Sequence, residues 1–280
     1  MRRSRSIRSL RLTERDIEII NHVFRHRFLR STQICRLIDG SQQGILRRLQ
    51  ALFHHGYLER PPLQIQYYRK AHNSPFVYGI ARKGAEALEV HRQIPQKNFD
   101  WMLGKRTKAQ FMEHTLAVAD FMVDLETKWI QELGAELIRK EKLESRSNSP
   151  SKWKVHLHRQ TEHVTHYIEP DAFFALKFKE NPDEEIGFIL ELDRGTMPVR
   201  RKSLKHSSIY RKILSYQSLW KNGFFKRKHH WKRVRVIFAI TSPNALKRTD
   251  SIQLHIPIST GLFQITQLDK VTPDLFHEDS

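Results

Sequence analysis

Three carboxylates stand out by type and spacing. Asp171 follows Pro170 at the head of one apolar stretch, and Glu191 and Asp193 close another, FILELD. In a strand, residues two apart share a face, so Ile189, Glu191 and Asp193 point the same way. If the two stretches pair, Asp171 approaches Glu191. Two or three carboxylates at one open site favour a hard cation, Mg2+ or Mn2+, with Asp171 and Glu191 as its ligands. Such an ion activates water and stabilises a phosphodiester transition state. The competing reading is that these acids pair with neighbouring Arg194, Arg200 and Lys202 and do no chemistry, since exposed pairs of that kind contribute little.

Charge supplies a second kind of site. The chain carries a net +19. Residues 1–11 hold five Arg and no acid, and residues 194–235 hold fourteen Lys or Arg and no Asp or Glu, so these nineteen charges equal the whole excess. A block of one sign points to a polyanion, and double-stranded DNA fits best. Arg200, Arg201, Arg211 and Lys212 are the expected backbone contacts there, next to Lys202 and Lys205. Trp220, Phe224, Phe225 and Trp231 flank Lys226–Lys228; core burial accounts for them better than stacking on unpaired bases.

A base-reading element lies near the N-terminus, in STQICRLIDGSQQGILRRLQALFHHGYLER. Ser31 or Thr32 caps a short helix that buries Ile34, Leu37 and Ile38. Gly40 makes the turn and Ser41 caps the next helix, whose Ile45, Leu49 and Leu52 repeat at helical spacing. Its other face carries Gln42, Gln43, Arg47, Arg48 and Gln50, amide and guanidinium groups of the kind that read base edges. A helix opens before it at Thr13 with Asp16 three residues on, a capping box with Asp in place of Glu. After it come LQIQYYRK, the turn AHNSP and FVYGIA, a hairpin whose tip offers Arg69, Lys70, His72 and Asn73. Helix, helix, helix, strand, turn, strand is the order of a winged helix. The bland reading is a three-helix unit with a solvated polar face.

The remaining elements position the carboxylates. A long helix is expected over 107–132, carrying Glu113 and His114 as auxiliary candidates. Strands follow at AELIRKEKL, KVHLHRQ, THYIEPDAFFAL and EEIGFILELD, then a basic amphipathic helix over 198–222, a buried strand RVRVIFAITS, and edge elements SIQLHIPIS and LFQITQLD. The fold class is therefore α/β (α+β): a winged helix, then an α/β sandwich around a mixed sheet. The domains expected are a basic arm 1–11, a winged helix 12–92, a linker 93–106, an α/β domain 107–263 and an acidic tail 264–280.

Two resemblances follow from these residues. Asp171 after Pro170, with Glu191 twenty residues later at the end of an apolar strand, resembles the PD-(D/E)xK nuclease pattern. Asp193 stands where that family places its lysine. Some members carry the lysine on the next helix, which by resemblance makes Lys202 or Lys205 the substitute; others bind without cutting. The chain also resembles the replication-relaxation family of plasmids and mobile elements, through LTERDIEIINHVFRHRFLRSTQICRL, LQALFHHGYLER, VYGIARKGAEAL, EHTLAVAD, EPDAFFAL and FILELDRGT, with the Lys205–Tyr210 spacing. That family implies a DNA-binding protein working with other replication or transfer proteins.

Other classes are excluded by what the sequence lacks. It has no P-loop, no G-x-G-x-x-G and no G-x-S-x-G elbow. His54-His55 and His229-His230 have no partners at zinc spacing. No apolar run approaches the ~18 residues of a membrane span. One cysteine, Cys35, rules out an internal disulfide framework and fits a bacterial cytoplasm, at the nucleoid or a plasmid. Three functions stay open: a DNA-binding replication factor, a metal-dependent endonuclease, and a repressor whose second domain forms a homodimer.

Overall fold

The computed structural model describes residues 10–64, 74–95, 107–147, 152–159, 161–257 and 261–277. The chain divides into two compact units, Met1–Thr127 and Lys128–Ser280. The hairpin tip expected at Arg69 and Lys70, most of the expected arm, and residues 96–106 lie outside the described residues.

In the first unit α1 (Glu14–His26) starts at the expected box: the Thr13 amide donates to Asp16 at 2.7 Å and the Asp16 amide to the Thr13 hydroxyl at 3.4 Å. Its stripe buries Ile17, Ile20 and Val23 as the period requires. A strand the sequence did not signal follows, β1 (Phe28–Arg30). Three residues are too few for an alternation to show. Next come α2 (Ser31–Leu37), α3 (Gln42–His55), β2 (Leu58–Glu59), β3 (Val77–Ile80) and α4 (Arg82–Arg92). Gly56 ends α3 in the left-handed region at φ 85°, which a side chain would resist. β3 is the middle strand, antiparallel to β1 and β2.

The long helix α5 (Ala109–Asp124) belongs to this unit, although the sequence suggested that a new domain opens at 107. Met112 and Leu116 pack on Phe28 and Val77. Asp120 accepts from Arg30 at 2.9 Å and from Gln33 at 2.6 Å, and Asp124 pairs with Arg36. A π-helical turn, Leu125–Trp129, continues it.

The second unit is built on a five-stranded sheet in the order β10-β9-β8-β7-β4: Ala135–Ile138 (β4), Ala172–Phe178 (β7), Glu185–Asp193 (β8), Arg233–Ile240 (β9) and Phe263–Gln267 (β10). β7 runs antiparallel to both neighbours, while β8, β9 and β10 are parallel. β8 is buried from Ile186 to Asp193, as a central strand of a covered sheet must be. A separate ribbon, β5 (Trp153–Arg159) with β6 (Glu162–Ile168), alternates buried and exposed residues. Its inner face joins Ile213, Tyr216 and Leu219 of helix α7 (Ile209–Lys221) in the main core. Gly187 of β8 has Trp231 against its backbone; an added Cβ would lie 2.1 Å from the indole.

Several expectations change here. AELIRKEKL is a strand only to Ile138 and then a helix, α6 (Lys140–Ser147). THYIEPDAFFAL is two strands in different sheets, because Pro170 has no amide to donate and breaks the run. The basic helix starts at Ile209 rather than 198: residues 198–208 form a loop, and Ser208 caps the helix by accepting the Arg211 amide at 3.1 Å. Phe224–His229 is a short helix, α8, and the first three residues of SIQLHIPIS, 251–253, are the end of a helix, α9 (Ala245–Gln253), with no strand over 254–257. Part of the stretch expected as an acidic tail is ordered into elements. Pro273–Phe276 forms a 3-10 turn whose Phe276 is fully buried against Trp129, Phe174 and Phe188.

Candidate carboxylate centre and nucleic-acid interface

The pairing of β7 with β8 sets Ala172 opposite Leu190, so Asp171 arrives beside Glu191 as the spacing suggested. The Asp171 amide donates to the Leu190 carbonyl at 3.1 Å, and its carboxylate accepts the Leu192 amide at 2.8 Å. Glu191 faces α7 and is only 1% exposed. One of its oxygens pairs with the Lys212 ammonium and the other accepts the Tyr216 hydroxyl. Lys212 and Tyr216 are one helical turn apart, which lets a single helix face hold both oxygens. Burial pushes the Glu191 carboxyl up to about 7; the Lys212 charge opposes that and Asp171 adds to it. Burial also works against the charge on Lys212, but Glu191 and Asp171 outweigh it and hold the amine above its ordinary range.

The lysine that meets the acids is therefore Lys212, not Lys202 or Lys205. Those two stand on the loop before α7. Lys212 had been expected to meet phosphate, and its place on the apolar side of an amphipathic helix was the missed signal. Asp193 leaves the group as well. It points to the same face as Glu191, but its carboxylate is held bidentately by Arg248 of α9, at 2.6 and 3.1 Å, and accepts the Gly195 amide at 3.0 Å. Arg248, 55 residues away, had no sequence signal. Glu113 and His114 sit on α5 in the other unit.

The loop at 200–208 presents Arg200, Arg201, Lys202 and Lys205 to solvent. Internal bonds shape it. Arg211, another expected phosphate contact, spends its guanidinium on the Leu204 carbonyl (3.2 Å), the Lys205 carbonyl (3.0 Å) and the Ser207 hydroxyl (2.6 Å). Glu162 of β6 accepts the Leu204 amide at 3.2 Å and the Ser203 hydroxyl. Arg200 lies over the Tyr210 ring at 5.3 Å. Of the aromatics near Lys226–Lys228, Phe225 and Trp231 are buried, and Trp220 is 39% exposed.

In the first unit Ser41 caps α3 as expected, accepting the Gly44 amide at 3.2 Å. Gln42, Gln43, Arg47 and Gln50 are exposed on α3. Arg48 is not available with them: it grips fully buried Asp16, with Nε to Oδ1 at 2.7 Å and a second bond from Nη2. Burial alone would raise the Asp16 carboxyl, but Arg48 and Thr13 overcome it and hold the group below the usual carboxylate range.

The fold and these sites define a mixed α/β protein with a helical N-terminal unit, a five-stranded mixed sheet and a buried acid–lysine group under one helix. The family description Replication-relaxation matches residues 20–234, and the chain belongs to that family. No curated protein and no solved structure matches it. Among the described residues no helix is long and apolar enough to cross a membrane.

Proposed function

We propose that this chain is a DNA-binding protein serving replication or relaxation of a plasmid or mobile element, with a winged-helix reader in its first unit. Its second unit is a nuclease-like core of PD-(D/E)xK type that grips the duplex without cutting it. The meeting of Asp171, Glu191 and Lys212 carries this reading. It has the acid–acid–amine composition of the nuclease pattern, with the amine moved to the following helix. The Glu191 oxygens are both engaged by Lys212 and Tyr216 and shut from solvent. Mg2+ or Mn2+ requires several oxygen ligands and usually keeps waters. The residues as arranged do not fit such an ion, so no cutting step is assigned to them.

The order α1-β1-α2-α3-β2-β3 supports the reader, with Gln42, Gln43 and Arg47 at base edges and Ser41 at the start of α3. Arg200, Arg201, Lys202 and Lys205 supply backbone contacts that carry no sequence information. The partners are double-stranded DNA and the replication or transfer proteins assembled on it.

A second reading, a metal-dependent endonuclease, is favoured by the convergence of Lys212 on the acid pair. Incubating supercoiled plasmid DNA with the purified protein and Mg2+ or Mn2+ separates the two. Intact plasmid is the expected result; nicking by the wild type that disappears in Asp171→Ala would replace gripping with cutting. Fluorescence anisotropy on the family's replicon DNA tests the reader. Arg47→Ala should reduce preference for the specific site by about 1–3 kcal/mol while sparing non-specific binding.

A further inference from the structure

Away from both sites, α1 and the π-helical turn bring together three metal-binding side chains. His22 and His26 lie one turn apart on the same face of α1, with rings stacked at 6.4 Å and only 9° from parallel. Glu126 comes from the turn Leu125–Trp129, and one ligand atom from each of the three falls within 4.8 Å of the others. The His26 and Glu126 side chains are 7% and 6% exposed. Turns of this rare type are often found at functional sites.

We infer that His22, His26 and Glu126 bind one divalent transition-metal ion of the zinc class. The His26 Nε2 to Glu126 Oε1 distance is 3.6 Å. That is too long for a hydrogen bond. It suits two ligands of one tetrahedral ion, which sit about 3.4 Å apart when each bond is near 2.1 Å. Two imidazoles and one carboxylate are a zinc donor set that leaves a fourth position for water. A Mg2+ or Ca2+ ion prefers oxygen alone, so this site and the acid–lysine group differ in chemistry. The ion would tie the end of α1 to the turn after α5.

The test uses the full chain, stripped with a chelator and then titrated with Zn2+ against a chromophoric competitor, and separately with Co2+ by visible absorption. One Zn2+ per chain and the ligand-field bands of a four-coordinate Co2+ are expected. His22→Ala, His26→Ala and Glu126→Gln should each weaken Zn2+ by ~100-fold or more, above what removal of an outer-sphere partner costs. His158→Ala, on the exposed ribbon, should change nothing. Circular dichroism checks folding, and Glu126→Gln, which preserves shape, decides the matter if the alanine variants unfold. No stoichiometric uptake, or uptake that survives Glu126→Gln undiminished, overturns the assignment.

Discussion

Arg48 shows how one residue type serves two ends. By sequence it stands with Arg47 on the polar face of α3, and both have the chemistry to read guanine. In the fold only Arg47 keeps its head in solvent, while Arg48 neutralises Asp16, a carboxylate 0% exposed. Removing one partner of such a pair leaves a buried charge, so Arg48→Ala should destabilise the protein by roughly 2–4 kcal/mol, the partial exposure of Arg48 softening the effect. Arg47→Ala should leave stability within about 0.5 kcal/mol. Urea unfolding of the two variants checks this, and equal destabilisation would refute the division of labour. The capping box at Thr13 and Asp16 was legible because its parts are three residues apart. The partners Arg48 and Asp16 are separated by 32 positions, and Arg248 and Asp193 by 55, and nothing local marks them.

At the level of elements, β8 was legible from its apolar run, β7 only as the apolar half of a stretch read as one strand, and the place of Asp171 beside Glu191 followed from their pairing. The basic segment before α7 was harder. Continuous charge with interleaved apolar residues reads as one amphipathic helix, yet Pro198 and a set of side-chain bonds to backbone hold 198–208 as a loop. The loop aims Arg200, Arg201, Lys202 and Lys205 outward, whereas a helix would have turned some of them toward the sheet. Replacing all four with Ala should flatten the dependence of log K on log salt by up to ~3.6, at ~0.9 for each phosphate no longer neutralised. Site preference should not change. An unchanged slope in a salt titration of DNA binding would move the backbone grip elsewhere, for instance to the exposed cations of α8.

For the whole molecule, the sequence was read as opening its second domain at 107, whereas the first compact unit runs on to Thr127. The apolar face of α5 could have served either unit; Arg30, Gln33 and Arg36 bind its acids and place it in the first. Stability should carry the mark of Glu191. A carboxyl whose folded pKa is raised to about 7 takes up protons on folding between the ordinary glutamate range and 7. Its contribution is complete below about pH 4 and is lost as pH rises through 7. His229, lowered to about 4 by burial, acts in the opposite sense, so stability rises with pH up to the ordinary histidine range. The wild-type curve mixes both. The difference between wild type and Glu191→Gln isolates the first: melting temperature should fall more steeply from pH 5 to 7.5 in the wild type. Parallel curves would show that Glu191 is ionised throughout.

The buried turn at Phe276 also sets a clock. Its ring covers Phe174 and Phe188, which the ribosome adds 102 and 88 residues earlier. At about 5–20 residues per second, part of that aromatic face waits roughly 5–20 s for its cover. During synthesis this sheet therefore depends on whatever shields exposed aromatics in a nascent chain, and slowing translation after β9 should lower soluble yield more than slowing it before β7.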